Sequence, residues 1–256
     1  MTRKPSWVVD KERAESASFW LFGLHAVRDA LNNPARRKLR LIVTKNAADR
    51  LSDTIAKAEM TPEIADARKF PAPLDPGSVH QGAALEVRPL DWGGIEAVVP
   101  ATGPAHVLLL DRVTDPHNVG AILRSAEVFG ASAVIAPMRH SAPETGALAK
   151  TASGALERQP YLRVKNLSMT METLKTLGFQ LIGLAGEVED TLETSLKTAG
   201  DRVALVLGAE GQGLRDKTRA TCDRLVRIPF FGEFGSLNVS NAAAISLYAT
   251  ARREMT

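Results

Sequence analysis

Apolar and polar positions alternate along this chain in two different rhythms. Residues 23–32 (GLHAVRDALN) place apolar side chains at helical spacing, and Asn33-Pro34 ends the run. LRLIV at 39–43 then reads as a strand, 49–60 returns to helical spacing, and 83–87 forms another short apolar stretch before Pro89. These elements predict a small α/β domain over 19–88, preceded by a loose polar tail over 1–18. Between 88 and 105 the text becomes RPLDWGGIEAVVPATGPA, where Gly-Gly, Gly-Pro and three prolines predict a linker over 89–105. From 106 the rhythm changes. HVLLL, NVGAILRSAEVFG and ASAVIAP, and later FQLIGLA, DRVALVLG and RLVRIPF, alternate apolar runs with amphipathic ones. That alternation predicts βα units and a mainly parallel sheet over 106–256, with ligands at the carboxyl ends of its strands. Residues 238–254 close the chain as a helix.

Composition narrows the class of protein. A 256-residue chain with 45% hydrophobic and 24% charged residues can bury one or two cores and is neither a fibre nor a disordered tail. The longest uncharged helical stretch, 234–251, is interrupted by Gly, Ser and Asn, so no membrane span is expected. The first residues show no export signal, and one cysteine, Cys222, can form neither an internal disulfide nor a zinc pattern with the scattered histidines. A reducing cytoplasm and no metal are therefore expected. The net charge of +3 is modest but unevenly placed: residues 1–50 carry 11 basic and 5 acidic side chains. Arg36, Arg37, Lys38 and Arg40 form a cluster suited to neutralising the phosphates of a nucleic acid.

Three segments that follow strands carry candidate chemistry. In DRVTDPHNVGAILRSAEVFG (111–130), Asp115-Pro116 favours a turn and Asn118 is a competent N-cap. Gly120 allows close approach, and Arg124 supplies a guanidinium suited to a phosphate or a developing oxyanion. In VALVLGAEGQGL (203–214), Gly208, Gly211 and Gly213 make a loop whose amides can face a ligand. Its glycine order is not that of the dinucleotide fingerprint, and Glu210 would repel an anion, so a cationic or neutral ligand is the better inference. In IPFFGEFGSLNVSNAAAI (228–245), Ser236, Asn238 and Ser240 supply neutral hydrogen-bonding groups ahead of small alanines, and Ser236 and Asn238 suit helix caps.

Taken together and in order, the three segments resemble the SpoU/TrmH family of S-adenosylmethionine-dependent RNA 2′-O-ribose methyltransferases, part of the SPOUT group. Asn118, Gly120 and Arg124 match its first motif. Leu207, Gly208, Glu210, Gly211 and Gly213 match the second, and Ile228, Pro229, Ser236, Leu237, Asn238, Val239 and Ser240 the third. Phe230 stands where the family usually has Met, a change expected to alter packing rather than chemistry. FGLHAVRDAL and VHQGAALEV resemble, more weakly, the ribosomal-protein-like substrate-binding domain of members that modify guanosine in large-subunit ribosomal RNA.

The resemblance implies a parallel-sheet α/β catalytic domain with a deep C-terminal trefoil knot, and a homodimer in which the knot regions pack together. Backbone groups at Gly208, Ile228 and Leu237 would hold the donor's adenosine part. Arg124 would sit at the target nucleotide, as a base or as a ligand of the adjacent phosphate. A guanidinium stays charged in proteins, so phosphate binding is the expected role, with Asn118, Ser236 and Asn238 orienting the hydroxyl. Glu210 would organise the glycine loop or pair with an arginine. Ribosomal RNA is the expected substrate, with transfer RNA as the alternative. A nicotinamide enzyme is disfavoured by the glycine order, and a silent RNA-binding module by the retained site residues.

Overall fold

The computed structural model describes residues 17–75, 77–230 and 237–253. The predicted tail therefore lies almost wholly outside the described residues, as do Ser236 and the end of the closing helix. The chain divides into two compact units, 1–91 with 144–157, and 92–143 with 158–256.

The first unit is a four-stranded sheet with helices. Strands β1 (Phe19–Phe22), β2 (Lys38–Val43), β3 (Glu63–Ile64) and β4 (Ala83–Val87) lie in the order β1-β4-β2-β3. Helix α1 (Leu24–Asn32) buries Leu24, Val27 and Leu31, the stripe its spacing predicts. Helix α2 runs Lys45–Lys57, earlier than the expected 49–60, because the Thr44 hydroxyl accepts the amide hydrogen bond of Ala47 and starts the helix there.

A segment from far along the sequence completes this unit. Residues 144–157 hold a short helix, α5 (Gly146–Ala152), laid so closely on β1 that a Cβ on Gly146 would meet the Trp20 carbonyl oxygen at 2.4 Å. Glu157 in the same segment corrects the expected basic cluster. Arg36 is 2% exposed, and its Nε and Nη2 donate to the Glu157 carboxylate at 3.0 and 2.8 Å. Its Nη1 reaches the Arg88 carbonyl at 2.7 Å and Glu144 at 3.4 Å. Arg36 is thus a buried structural charge and not an RNA contact. Arg37 is exposed and Lys38 partly so, while Arg40 forms an exposed pair with Glu63.

The second unit is a six-stranded, wholly parallel sheet. Strands β5 (Ala105–Asp111), β6 (Ala133–Pro137), β7 (Tyr161–Val164), β8 (Gln180–Leu184), β9 (Arg202–Gly208) and β10 (Arg224–Val226) lie in the order β10-β8-β9-β5-β6-β7. All seven residues of β5 are buried, as its unbroken apolar run requires of a strand covered on both faces. Helices α4 (Pro116–Val128), α6 (Leu167–Thr176), α7 (Leu192–Lys197), α8 (Asp216–Thr221) and α9 (Val239–Arg252) complete it, and α9 packs on α4. The expected linker is not a free connection. Its residues 95–98 form the short helix α3 (Ile95–Val98), and Ile95 and Val99 join the core with Leu109, Ile135 and Leu181. Among the described residues no helix is long and apolar enough to cross a membrane.

Removing one member of a buried ion pair strands the other. Arg36→Ala is expected to cost about 3–5 kcal/mol, whereas Arg37→Ala, at an exposed position, should stay within about 0.5 kcal/mol. Urea unfolding of both variants checks this.

Candidate active site

The exits of β5 and β9 lie side by side, because Leu110 pairs with Leu207 and Asp111 with Gly208 in parallel register. After β9 the chain turns back at once. Gly213 N donates to the Ala209 carbonyl at 2.9 Å, and Gly211 and Gly213 take φ values of 76° and 66° that favour glycine. The return is so close that a Cβ on Gly208 would lie 2.1 Å from the Gly213 carbonyl carbon. Asp111 then clamps the far end of the loop. Its side chain, wholly buried, accepts from Arg215 Nε at 2.7 Å and from the Arg215 amide at 3.1 Å. Sequence reasoning passed over Asp111 because a strand-end aspartate reads as surface.

Helix α4 begins at Pro116 and is capped by Asp115, which accepts the His117 amide hydrogen bond at 2.9 Å. This corrects the expected cap at Asn118. Proline's fixed φ suits the first helical position, so the start moves upstream of Asn118. Asn118 thereby keeps its amide free for contacts across the site. Its Nδ2 donates to Glu210 Oε1 at 2.9 Å, while Asn238 Nδ2 donates to the same oxygen at 2.6 Å and to Asn118 Oδ1 at 3.0 Å. The Val239 amide also points at Glu210 Oε1, at 3.4 Å. Asn238 caps α9 as expected, its Oδ1 accepting from the Ser240 amide at 2.8 Å. Glu210 therefore pairs with amides at the N-terminus of α9, and among the described residues no arginine pairs with it.

Beside this junction a cavity of about 370 Å³ opens at the carboxyl ends of β8, β9 and β10. Leu184, Gly186, Leu207, Gly208, Ile228 and Leu237 form much of its wall, and Glu210 borders it. Its size falls within the roughly 300–1,000 Å³ of small-molecule sites. Glu187 and Arg219, which the sequence did not single out, meet at its edge as an ion pair, and the Arg219 guanidinium holds the Glu187 carboxyl below its ordinary range. Phe230 is 45% exposed beneath the Arg227 guanidinium, so the substitution of Met by Phe leaves a ring at the cavity edge.

Arg124 is exposed on α4, on one stripe with His117. The hydrogen bonds joining Asn118, Glu210 and Asn238 do not extend to it, and among the described residues no carboxylate pairs with it. Ser236 lies outside the described residues. Among those described, no cluster of His, Cys, Asp and Glu converges as a metal ion would require. His106 is buried with Nε2 2.9 Å from the Phe129 carbonyl, and His80 stacks on Phe70.

The parallel sheet, the cavity at its strand ends and the three loops hydrogen-bonded beside it fit a methyltransferase of the SpoU type, and the comparisons assign that class. The chain belongs to the SpoU rRNA methylase family, whose model matches residues 105–248. A second model, RNA 2′-O ribose methyltransferase substrate binding, matches residues 20–92. The 23S rRNA (guanosine-2′-O-)-methyltransferases of Yersinia pestis and Vibrio vulnificus are 38% and 37% identical to it. They align over 91% and 92% of this chain and 96% and 97% of their own lengths. In fold it is similar to the SpoU methyltransferase AviRb of Streptomyces viridochromogenes, solved in complex with AdoMet. That match has a TM-score of 0.79 at 23% identity, covering 96% of this chain and 94% of the other.

Gly208→Ala forces a β-carbon into backbone that has nowhere to move. It is expected to cost about 1–3 kcal/mol of stability and to abolish S-adenosylhomocysteine binding, read by thermal melting and calorimetry.

Proposed function

We propose that this protein transfers a methyl group from S-adenosylmethionine to a ribose 2′-hydroxyl of structured RNA, a guanosine of 23S ribosomal RNA. One observation carries the reading. The three separated motifs are joined by direct hydrogen bonds among Asn118, Glu210 and Asn238 at the border of a single cavity.

The residues present fit the methyl donor. Leu184, Leu207 and Ile228 offer apolar walls to an adenine ring, and the tight return at Gly208 puts no side chain there to fill the space. Gly208, Ile228 and Leu237 are the proposed holders of its adenosine part. When bound, the donor supplies an electrophilic methyl on a positively charged sulfonium. Glu210, a carboxylate bordering the cavity, suits that charge, which resolves its poor fit to a phosphate loop.

Arg124 binds the phosphate beside the target ribose and, by favouring the developing alkoxide, lowers the effective pKa of the hydroxyl. Asn118, Asn238 and Ser236 orient that hydroxyl, since neutral amides and a hydroxyl can direct it without competing for its charge. In the first unit the exposed Arg37 is available to dock RNA, beside the partly exposed Lys38 and the exposed Arg40, whose guanidinium is shared with Glu63.

The finer architecture belongs to the same reading. The C-terminal loops form a trefoil knot, and the protein works as a homodimer in a reducing cytoplasm. The α4 and α9 surfaces support dimerisation. Val128, Ile245 and Tyr248 are 70%, 39% and 54% exposed on two helices that pack together. A monomer in sedimentation at working concentration would remove the dimer.

The test is transfer of labelled methyl to unmodified 23S ribosomal RNA and, in parallel, to unmodified transfer RNA, with the product nucleotide mapped. Ribose methyl in ribosomal RNA alone is expected. Label in transfer RNA alone overturns the substrate, and label in neither overturns the activity. Arg124→Lys should keep turnover within about tenfold across pH, and Arg124→Ala should lose about a hundredfold or more. A pH limb present only with Arg124 would instead assign it proton abstraction.

A further inference from the structure

The cavity and its hydrogen-bonded border use the exits of β8, β9, β10 and one side of β5. The exits of β6 and β7 continue the same edge of the sheet beyond β5 in the opposite direction, and the proposed function leaves these two without a role. Their registers align them. Leu109 pairs with Ile135 and Pro137 with Val164, so the first residues beyond the three strands, Arg112, Met138 and Lys165, fall in one row. Strands in a sheet are about 4.8 Å apart, which makes this a continuous ledge. Arg112, Arg139 and Lys165 are exposed on it, and among the described residues none of the three is held in an ion pair.

The ledge is built as well as charged. The Ala142 amide donates to the Val113 carbonyl at 3.2 Å and folds the β6 exit back onto the β5 exit. Arg163 Nη2 donates to the Met138 carbonyl at 2.5 Å and fixes the base of the same loop from β7. Of the acidic residues of these exits, Asp111 is buried against Arg215, Glu144 pairs with Arg36, and Asp115 accepts the first amide hydrogen bond of α4. Two positions also hold a backbone conformation that side chains rarely adopt, Arg112 with φ 63° and His140 with φ 59°. Glycine would take either without strain. That a long cationic side chain occupies the first is unfavourable for folding alone and points to use of the side chain.

We propose that the exits of β5, β6 and β7 form a phosphate-binding track, contacted by Arg112, Arg139 and Lys165, that holds the sugar-phosphate backbone of RNA beside the target nucleotide. The track runs into α4, the helix carrying Asn118 and Arg124, so a strand lying along it leads directly to the junction of the three motifs. Its contacts are to phosphate and set register and orientation, not sequence. The assignment rests on the RNA methyltransferase reading above.

The test measures binding of an in vitro transcript of unmodified 23S ribosomal RNA as salt is varied, for the full chain and for the triple variant Arg112→Gly, Arg139→Ala, Lys165→Ala. S-adenosylhomocysteine binding by calorimetry serves as the check on the donor site. Each lost phosphate contact lowers the slope of log affinity against log salt by about 0.7–0.9. The triple variant should therefore lose about 2–3 in slope and about tenfold or more in affinity, with unchanged S-adenosylhomocysteine binding. Arg112→Gly alone should melt at the same temperature as the parent or higher while binding RNA more weakly, an outcome that a structural arginine would not give. Wild-type affinity and slope in the triple variant overturn the track while leaving the methyltransferase reading intact. A parent chain that neither binds nor methylates RNA overturns both.

Discussion

A single carboxylate oxygen, Glu210 Oε1, receives hydrogen bonds from Asn118, from Asn238 and from the first amide of α9, and through it three loops distant in sequence become one site. Each loop has its own local reason for its shape. Asp115 and Pro116 start α4 upstream of Asn118, glycines close the β9 return, and Asn238 caps α9. None of these local devices brings the loops together. The carboxylate does, because one carboxylate oxygen can accept from several donors at once.

The sheet beneath sets where that junction can form. β5 lies between β9 and β6, so its exit has the glycine loop of β9 on one side and the cationic ledge on the other. Asp111, at the end of β5, ties the glycine loop down through Arg215 from a wholly buried position. The donor cavity and the proposed RNA track are thus two directions along one edge, meeting at α4. A methyl group and a ribose hydroxyl must be aligned within a narrow geometry, and rigid strand ends supply that alignment better than free loops do.

Much of this was legible from the residues. Alternating apolar runs announced the parallel sheet, and the spacing within residues 118–124, 207–213 and 228–240 marked the loops that converge. Local signals failed where a long-range partner decides the role. Arg36 reads as one of four clustered cations, but Glu157, 121 residues away, buries it as a structural charge. Residues 95–98 read as linker, yet Ile95 finds a core to enter. Residues 144–157 lie between two strands of the second unit and pack within the first. Asp111, Glu187 and Arg219 carry no motif, because their importance comes from partners that the fold supplies.

The most direct test of the account is a double-mutant cycle at the junction, with Asn118→Ala, Glu210→Ala and their combination measured by calorimetric binding of S-adenosylhomocysteine. If one shared hydrogen-bond network assembles the site, the losses are non-additive, with a coupling of about 0.5–3 kcal/mol. Losses that add to within a few tenths would show that the loops reach their positions independently, and would contradict the claim that Glu210 joins them.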